Sequence, residues 1–560
     1  MESFNLLRQP WIRVMKNLKG ETEELSIIDV FKHADSIIDL SGDTPTQDFA
    51  VLRVLLAILH TVYSRYNYEG ETHVDIEVDD MMRQIEEVDE DNATDTYQEE
   101  LEDTWKELWT TKEFSDILYQ YLETWEDRFN LFDEEYPFFQ ATLEDIDPNK
   151  LIKSRKAGKI WGKTMNRLVS ESGNKIALFS PKSHKQKDKL TEAEIARWLI
   201  TFHGYPGLSD KSVYDREEYT KAKGWLFDLG GIYLKGNNLY ETFLLNLVMI
   251  HSREEYAGKV QKPSWEFESS EWIERHFKVS HPDNIAELYT RWSRAIYMDS
   301  EVDISKPFSF QVVKIPEIDH VQTYIEPMTV WRYNKSGDNK DMYTPRKHPP
   351  QQSMWRSFGL ITMPDSLTTE GERNIKPEVL NWLGKVKDII GDYDLRIQSV
   401  SMRDDGNATS WMPIDEIVDT LRINDTVLVD EDKEGWIVRI TETIDFTKET
   451  IERTYRIFLN DIRQIRNLDT SHQFIAQNIE AMYYQVDQPF RDWLASIRPE
   501  HTKAEKVSEW KNTLRELVLI ESEKHLEDAG TRDYLGTVIE EKNVNIITAH
   551  NKFKHFLNKE

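Results

Sequence analysis

The chain of 560 residues contains no cysteine. Disulfide bonds, thiolate zinc sites and cysteine nucleophiles are therefore excluded. The sequence also lacks an uninterrupted apolar run of membrane length, and no basic segment followed by an apolar one stands at its N-terminus. We therefore expect a cytoplasmic protein with no membrane partner, and the length predicts more than one domain.

Basic residues are fewer than acidic ones. Lys and Arg number 70 against 101 Asp and Glu, which gives a formal net charge of −31. Between Glu69 and Asp103 there are sixteen carboxylates and one base, Arg83. Such a chain does not coat nucleic acid indiscriminately, because its overall field repels polyanions. Any contact with DNA must therefore use local basic segments.

One basic segment runs from Lys150 to Arg167, with seven cations and no carboxylate. Trp161 lies within it and could stack on a base. A solvated basic face is the alternative interpretation of the same charges. The cations that we assign to a nucleic-acid patch are Lys153, Arg155, Lys156, Lys159 and Lys163.

The same segment contains AGKIWGKT (157–164), which satisfies a relaxed phosphate-loop pattern. A phosphate loop follows an apolar strand and needs small residues around the phosphate, and both are missing here. The histidines show no His-Glu-x-x-His spacing, and no Gly-x-Ser-x-Gly elbow is present. We expect no catalytic residue, metal or cofactor. The 17 tryptophans beside many acids would also suit a carbohydrate-active hydrolase using paired carboxylates, which stays open as the alternative.

Hydrophobic patterning changes along the chain and predicts an α+β fold. Residues 44–65 are apolar nearly all round and predict a buried helix, with Thr44 as N-cap and Gln47 completing a capping box. After Gly435 the apolar period is that of helices, in four runs from Ile437, Phe474, Val507 and Tyr534, the last reaching 557. We predict a mixed α/β domain over 1–412 and an antiparallel four-helix bundle over 413–560.

Three stretches in a fixed order point to a family. FNLLRQPWIRV (4–14), LSIIDVFKHADSI (25–37) and LSGDTPTQDFAVLRVLLAILH (40–60) together resemble the start of CasA, the large subunit of the type I-E CRISPR Cascade complex. The resemblance implies a non-catalytic subunit for antiviral defence, whose partners are the guide RNA and the other Cascade subunits. It also implies that the protein reads the protospacer-adjacent motif (PAM) in double-stranded DNA, promotes strand opening and R-loop formation, and recruits a helicase-nuclease.

The resemblance further implies three loops at the PAM, contacting DNA from the minor groove. A glycine-bearing loop corresponds to residues 204–212, with Gly207, Ser209 and Lys211 as DNA-binding candidates. A lysine before a Pro-rich turn corresponds to Lys335 or Lys340, and both stay open.

The third loop is a turn with a polar wedge. It corresponds to Asp405–Ala408, where Gly406 and Asn407 are the candidates, although an Asp-Gly-Asn turn is also an ordinary hairpin signal. An extended loop near the guide RNA corresponds to the region of Asn174, Lys182, Lys185 and Lys187.

Overall fold

A computed structural model of the chain describes residues 4–89, 95–169, 171, 180–205, 212–217, 219, 223–364, 367, 374–406, 412–468, 473–539 and 541–559. The strands are β1 (Ile12–Met15), β2 (Thr22–Leu25), β3 (Asp39–Leu40), β4 (Gly158–Trp161), β5 (Gly231–Lys235), β6 (Arg294–Tyr297), β7 (Ser309–Lys314), β8 (Trp331–Tyr333), β9 (Tyr343–Pro345), β10 (Asn374–Ile375), β11 (Asp394–Asp404), β12 (Pro413–Asn424), β13 (Thr537–Ile539) and β14 (Lys542–Val544).

The helices alternate with these strands as far as β12 and dominate after it. They are α1 (Ile27–Lys32), α2 (Pro45–Tyr63), α3 (Thr96–Thr111), α4 (Asp116–Thr124), α5 (Gly162–Met165), α6 (Glu192–Gly204), α7 (Leu239–Asn246), α8 (Ser269–Lys278), α9 (Ile285–Thr290), α10 (Phe358–Thr362), α11 (Glu378–Ile390), α12 (Asp425–Val429), α13 (Trp436–Glu449), α14 (Arg456–Ile465), α15 (Gln473–Ala495), α16 (Lys503–Glu527), α17 (Thr531–Leu535) and α18 (Ile546–Leu557). The predicted α+β class is confirmed.

The chain forms two compact units whose sequences interleave. The first unit comprises residues 1–350, 368–391 and 395–420, and the second comprises 351–367, 392–394 and 421–560. The boundary predicted between residues 412 and 413 coincides with the start of β12 and stays a prediction. No pattern in the sequence indicated that residues 351–367 belong to the unit of the C-terminal helices.

Helix α2 is the core of the first unit. Every residue from Phe49 to Tyr63 is buried, as the all-round apolar pattern predicted. The Thr44 side chain accepts a hydrogen bond from the Gln47 backbone N–H (3.2 Å), so the predicted N-cap is present. Gln47 caps the preceding backbone N–H, that of Asp43 (2.9 Å), and not that of Thr44. Helices α6 and α9 pack against α2 and enclose it.

Small sheets surround this core. Their strand orders are β2-β1-β3, β4-β7-β6, β12-β11-β5 and β10-β8-β9. In the second of them β4 is an edge strand, paired antiparallel with β7 from Gly158 opposite Val312 to Trp161 opposite Ser309. Some of the sequence-predicted site residues lie on these sheets: Lys159 on edge strand β4, Lys335 and Lys340 between β8 and β9, and Gly406 just after β11.

The second unit is largely helical, as predicted. Helix α13 continues through a π-helical turn (Thr450–Tyr455) into α14. Helix α14 packs against α15 and α18, whereas α16 packs against α13 and α15. The apolar residues of the run that begins at Ile437 are buried, namely Ile437, Ile440, Ile444, Ile451, Tyr455, Phe458, Ile462 and Ile465. The antiparallel bundle arrangement stays a prediction.

The predicted fourth helix was wrong in its first half. The segment from Tyr534 is the short helix α17 followed by the β13–β14 hairpin, and α18 begins only at Ile546. Gly536 ends α17 with φ +74°, and a Cβ there would lie 2.3 Å from the Val544 carbonyl oxygen. Tyr534, Leu535 and Val538 are therefore exposed and do not form a core-facing stripe.

Candidate nucleic-acid interface

The basic segment Lys150–Arg167 is built around edge strand β4. Its backbone passes through two short 3-10 turns, with Lys153 at φ 57°, before pairing with β7. Because side chains alternate along a strand, Lys159 and Trp161 share one exposed face, and the Lys159 ammonium lies 4.5 Å from the Trp161 ring centroid. An aromatic ring with a cation beside it is suited to a nucleotide.

The patch residues are open to solvent and unneutralised. Lys153, Arg155, Lys156 and Lys159 are exposed, and Lys163 is half-buried. No described carboxylate lies within ion-pair distance of these five side chains. Other surface cations do have a carboxylate partner, for example Arg8 with Glu126 (2.8 Å). The segment therefore keeps its positive field in an acidic protein.

The glycine-bearing loop ends beside this segment. The Ser212 hydroxyl donates to the Lys156 carbonyl (3.1 Å), and the Ile152 N–H donates to the Val213 carbonyl (3.1 Å). The residues that follow the loop are thus fixed to the basic segment. Its candidates Gly207, Ser209 and Lys211 lie outside the described residues.

The lysines of the expected RNA-proximal loop are not equivalent. Lys187 is buried, and its ammonium pairs with the Glu171 carboxylate (2.6 Å). Lys182 pairs with Glu194 (2.6 Å), the capping glutamate of α6. Lys182 and Lys187 are thus engaged in ion pairs within this chain, whereas Lys185 is exposed without a described carboxylate partner. Asn174 lies outside the described residues.

The predicted turn lies in the connection between β11 and β12, of which the structure describes the residues up to Gly406 and from Met412. Gly406 adopts φ +70°, and its N–H donates to the Asp404 carboxylate (2.7 Å). The Asp405 N–H donates to the Met412 carbonyl (3.0 Å), which joins the two described ends of this connection. Gly406 is exposed, whereas Asn407 lies outside the described residues.

Both lysine candidates lie in the connection between β8 and β9. Residues 335–341 are all exposed, with Gly337 at φ +85°. Asn334 holds the base of this hairpin, since its amide donates to the Met342 carbonyl (2.9 Å) and the Thr344 hydroxyl (3.1 Å). Lys340 is 4.0 Å from Asp341. The geometry presents both lysines to solvent and does not choose between them.

A charged cluster that the sequence did not single out connects this hairpin to the turn. Lys347, just beyond β9, donates to the Met402 carbonyl (3.3 Å) and lies 3.8 Å from the Asp404 carboxylate. Asp228 accepts from Lys223 (3.1 Å) and lies 3.4 Å from Lys347. Burial opposes ionisation, but His320, Lys347 and Lys223 hold the pKa of Asp228 below its usual value. The basic run Arg346-Lys347-His348 is the sequence feature that could have indicated this cluster.

The ends of three predicted loops meet at one cavity. Arg167, Leu168 and Val169 lead into the region of Asn174, and Tyr205 leads into the glycine-bearing loop. Met402 and Pro413 flank the wedge turn. Helix α6, the N-terminus of α2 and β12 supply the remaining lining residues: Thr44, Thr46, Thr164, Met165, Trp198, Thr201, Phe202 and Glu416. Residues that flank three loops far apart in sequence therefore line the same cavity.

Glu416 fixes this arrangement from β12. Its carboxylate accepts a hydrogen bond from the Thr46 N–H (2.7 Å) in the first turn of α2, where a negative charge is favoured. Burial raises the pKa of the Glu416 carboxyl above its ordinary value, against the lowering effect of the Thr46 hydrogen bonds. The β11–β12 hairpin is thereby joined to the buried core helix.

The phosphate-loop pattern is not a phosphate loop in three dimensions. GKIW is itself strand β4, and α5 follows it directly with no intervening loop. A Cβ on Gly162 would lie 3.0 Å from Leu190, so this glycine serves close packing. Among the described residues, no group of histidine and carboxylate side chains could hold a metal ion. Within those same ranges no helix is long and apolar enough to cross a membrane.

Comparison with known proteins gives consistent results. The family model for CRISPR-associated protein Cse1 matches residues 5–520. The CRISPR-associated protein CasA/Cse1 of Thermus thermophilus is 27% identical over 270 residues, which span 48% of this chain and 42% of that relative.

Solved structures match along the whole chain. The crystal structure of Thermobifida fusca Cse1 aligns with a TM-score of 0.77 and 25% identity, over 99% of this chain and 97% of that one. A chain of a CRISPR RNA-guided surveillance complex shares the fold, with a TM-score of 0.61 and 15% identity over 99% of each chain. The family model covers well over half of the sequence, and the fold agrees from end to end. The chain therefore belongs to the CRISPR-associated Cse1 family.

Proposed function

We propose that this chain is the large subunit of a type I-E Cascade complex and that it reads the PAM in double-stranded DNA. In this proposal the subunit breaks no bonds. It promotes strand opening beside the guide-matched segment and then recruits the helicase-nuclease that cuts. Membership of the Cse1 family supports the Cascade assignment, and the named relative from Thermus thermophilus is a CasA/Cse1 protein.

The observation that carries the proposal is the common origin of the predicted loops. The ends of the RNA-proximal loop, the glycine-bearing loop and the wedge turn line a single cavity. Lys347 connects the lysine hairpin to the same turn through Met402 and Asp404. Several short loops that must touch the same few base pairs need such a shared base.

Affinity and sequence reading are assigned to different parts of this surface. The exposed cations of the basic segment would contact phosphates, which strengthens binding to any duplex. The loop tips would contact base edges in the minor groove, where the hydrogen-bonding pattern is degenerate. We therefore expect tolerance of several related PAM sequences.

Gel shift of the assembled complex tests the proposal. Duplexes carry the same guide-matched segment and differ only in the adjacent base pairs. We expect binding to change by at least about tenfold between the best and worst flanks, since each unfavourable base pair costs about 1–3 kcal/mol. Equal affinity for every flank would refute PAM reading by this complex.

Asn407 should act at the opening step. An Asn amide offers both a donor and an acceptor to base edges, and Gly406 at φ +70° allows a tight turn before it. Unstacking a base step costs a few kcal/mol, so Asn407→Ala should slow opening by about tenfold or more. A fluorescent base beside the PAM, followed on linear and on negatively supercoiled DNA, measures this. Supercoiling should restore part of the rate. Equal rates for the variant and the parent on linear DNA would mean that the turn has no wedge.

A further inference from the structure

Two arginines share one face of the sheet that carries the lysine hairpin. Arg332 on β8 lies opposite Thr344 on β9. Arg346 is two residues beyond Thr344, and its N–H donates to the Val330 carbonyl (2.9 Å), so the pairing continues to that point. Residues two apart on a strand point to the same side, which makes Arg332 and Arg346 diagonal neighbours.

Neither guanidinium group is neutralised within the described residues. The Arg332 side chain donates to the Asn334 amide oxygen (3.0 Å), and no described carboxylate lies within ion-pair distance of either arginine. Lys347, the next residue after Arg346, differs in having both Asp228 and Asp404 beside it. The charge of Lys347 is thus compensated by carboxylates, whereas the charges of Arg332 and Arg346 are not compensated by any described carboxylate.

The surroundings of the pair are polar and partly closed. Arg332 is exposed, whereas Arg346 is half-buried. Burial, and then the charge of Arg332, lower the pKa of Arg346 from its usual value. Asn374 on β10 pairs with Arg332 from the other side, and Thr344 lies between the arginines. Amide and hydroxyl groups of this kind supply further hydrogen bonds to an oxyanion.

Two like charges held together by the backbone repel each other, and an anion placed between them relieves that repulsion. A guanidinium group is planar and offers paired N–H donors that match phosphate geometry, which a lysine ammonium does not. The choice of arginine at both positions therefore favours a phosphate over a diffuse counterion cloud.

We propose that Arg332 and Arg346 together bind a phosphate group of the target DNA backbone at the base of the lysine hairpin. This inference rests on the proposed function, because it takes DNA as the ligand of this surface. The phosphate contact would set the position of the hairpin, so that the tip with Lys335 and Lys340 meets the correct base pairs.

Salt-dependent DNA binding by the assembled complex tests the pair. Each phosphate contact contributes about 0.9 to the slope of log affinity against log salt. R332Q/R346Q should lower that slope by about 1–2 and weaken binding at least about tenfold at moderate salt, by the same factor for every flank. R332K/R346K keeps both charges and should keep the slope, while losing part of the affinity with the paired N–H donors.

The control variant R8Q/R453Q removes two surface arginines that already have partners, Glu126 and Glu449, and should leave the slope unchanged. If R332Q/R346Q also leaves the slope unchanged while flank-dependent binding persists, the phosphate site is refuted and the proposed function stands. If the parent complex shows no flank dependence, the proposed function fails, and the slope still decides the phosphate site.

If the double variant R332Q/R346Q does not fold, the single variant R332Q still tests the phosphate site. Arg332 is exposed, so its replacement leaves packing intact, and this single variant should lower the slope by about one. An unchanged slope for R332Q in a complex that unfolds at the parent's temperature would overturn the inference as well.

Discussion

Arg53 lies in the middle of the buried helix α2 and has a carboxylate partner. Its two terminal nitrogens each donate to Glu326 at 2.7 Å, and Glu326 also accepts from the Trp225 indole N–H. Removing one member of a buried pair leaves the other charge uncompensated, which typically costs about 3–5 kcal/mol. Arg53→Met should lower the free energy of unfolding by that amount, and R53M/E326L should recover a large part of it.

Thermal unfolding of the purified chain measures this effect. Arg8→Gln, which breaks an exposed ion pair with Glu126, is the control and should cost about 0–1 kcal/mol. A loss for Arg53→Met as small as that of the control would show that the buried pair does not hold the helix in place.

Asp48, in the first turn of α2, should make stability depend on pH. Burial raises the pKa of its carboxyl from 3.8 to about 7, and the charge of Asp39 adds to this effect. The hydrogen bond from the Gly42 N–H (2.7 Å) acts in the opposite direction. Between pH 3.8 and about pH 7 the folded chain holds a proton on Asp48 that the unfolded chain has lost. The free energy of unfolding therefore falls as the pH rises through this range.

Asp48→Asn removes the ionisation and keeps an oxygen that can accept from Gly42. We expect it to raise the free energy of unfolding at pH 8 by about 1–3 kcal/mol, and to change it far less at pH 4. Unfolding curves of both proteins across pH 4–8 decide the matter. A destabilised variant at pH 8 would mean that Asp48 is needed in its charged form.

Among the secondary elements, edge strand β4 with its preceding turns should supply sequence-independent DNA affinity. Changing Lys153, Arg155, Lys156 and Lys159 to Glu reverses four exposed and unpaired cations. The assembled complex should then bind every duplex more weakly, and the salt slope should fall by up to about 3–4. The matched control reverses four paired surface cations: Arg8, Lys16, Lys306 and Arg453. Equal slopes for both variants would show that the segment is only solvated.

The local pattern of apolar residues predicted a helix whose side chains are buried on all sides. Helix α2 was evident because its residues are apolar on all sides. Strand β4 was not evident, since GKIW becomes a strand only through pairing with β7, which lies far along the chain. The C-terminal hairpin was missed because Val538, like Tyr534 and Leu535 before it, fits a helical period although its side chain is exposed.

The site could be predicted from sequence to a similar extent. Composition indicated the basic segment, and the resemblance indicated the loops. The burial of Lys187 depends on Glu171, which lies beyond an intervening segment, and no spacing rule predicts such a pair. The arginines Arg332 and Arg346 read as isolated charges in sequence, because only the β8–β9 register brings them to one face.

At the scale of the whole molecule, a protein of net charge −31 keeps the five exposed or half-exposed cations of its nucleic-acid patch away from the carboxylates of the described residues. A common cavity then brings together loops that begin near Arg167, Tyr205 and Met402. Tertiary topology creates this convergence, since the loop ends come from three distant parts of the chain. The central claim is that these loops contact the same short piece of DNA.

Photo-crosslinking from candidate residues of the predicted loops tests that claim most directly. A crosslinking amino acid replaces Gly207, Lys335, Lys340 or Asn407 in the assembled complex, and the attached bases are mapped on a guide-matched duplex. Leu18, exposed on the β1–β2 connection, is the control position. We predict crosslinks from 207, 407 and one of the two lysines within the same few base pairs beside the guide-matched segment, and none from 18. Crosslinks scattered along the duplex, or no more frequent than those from 18, would contradict the account.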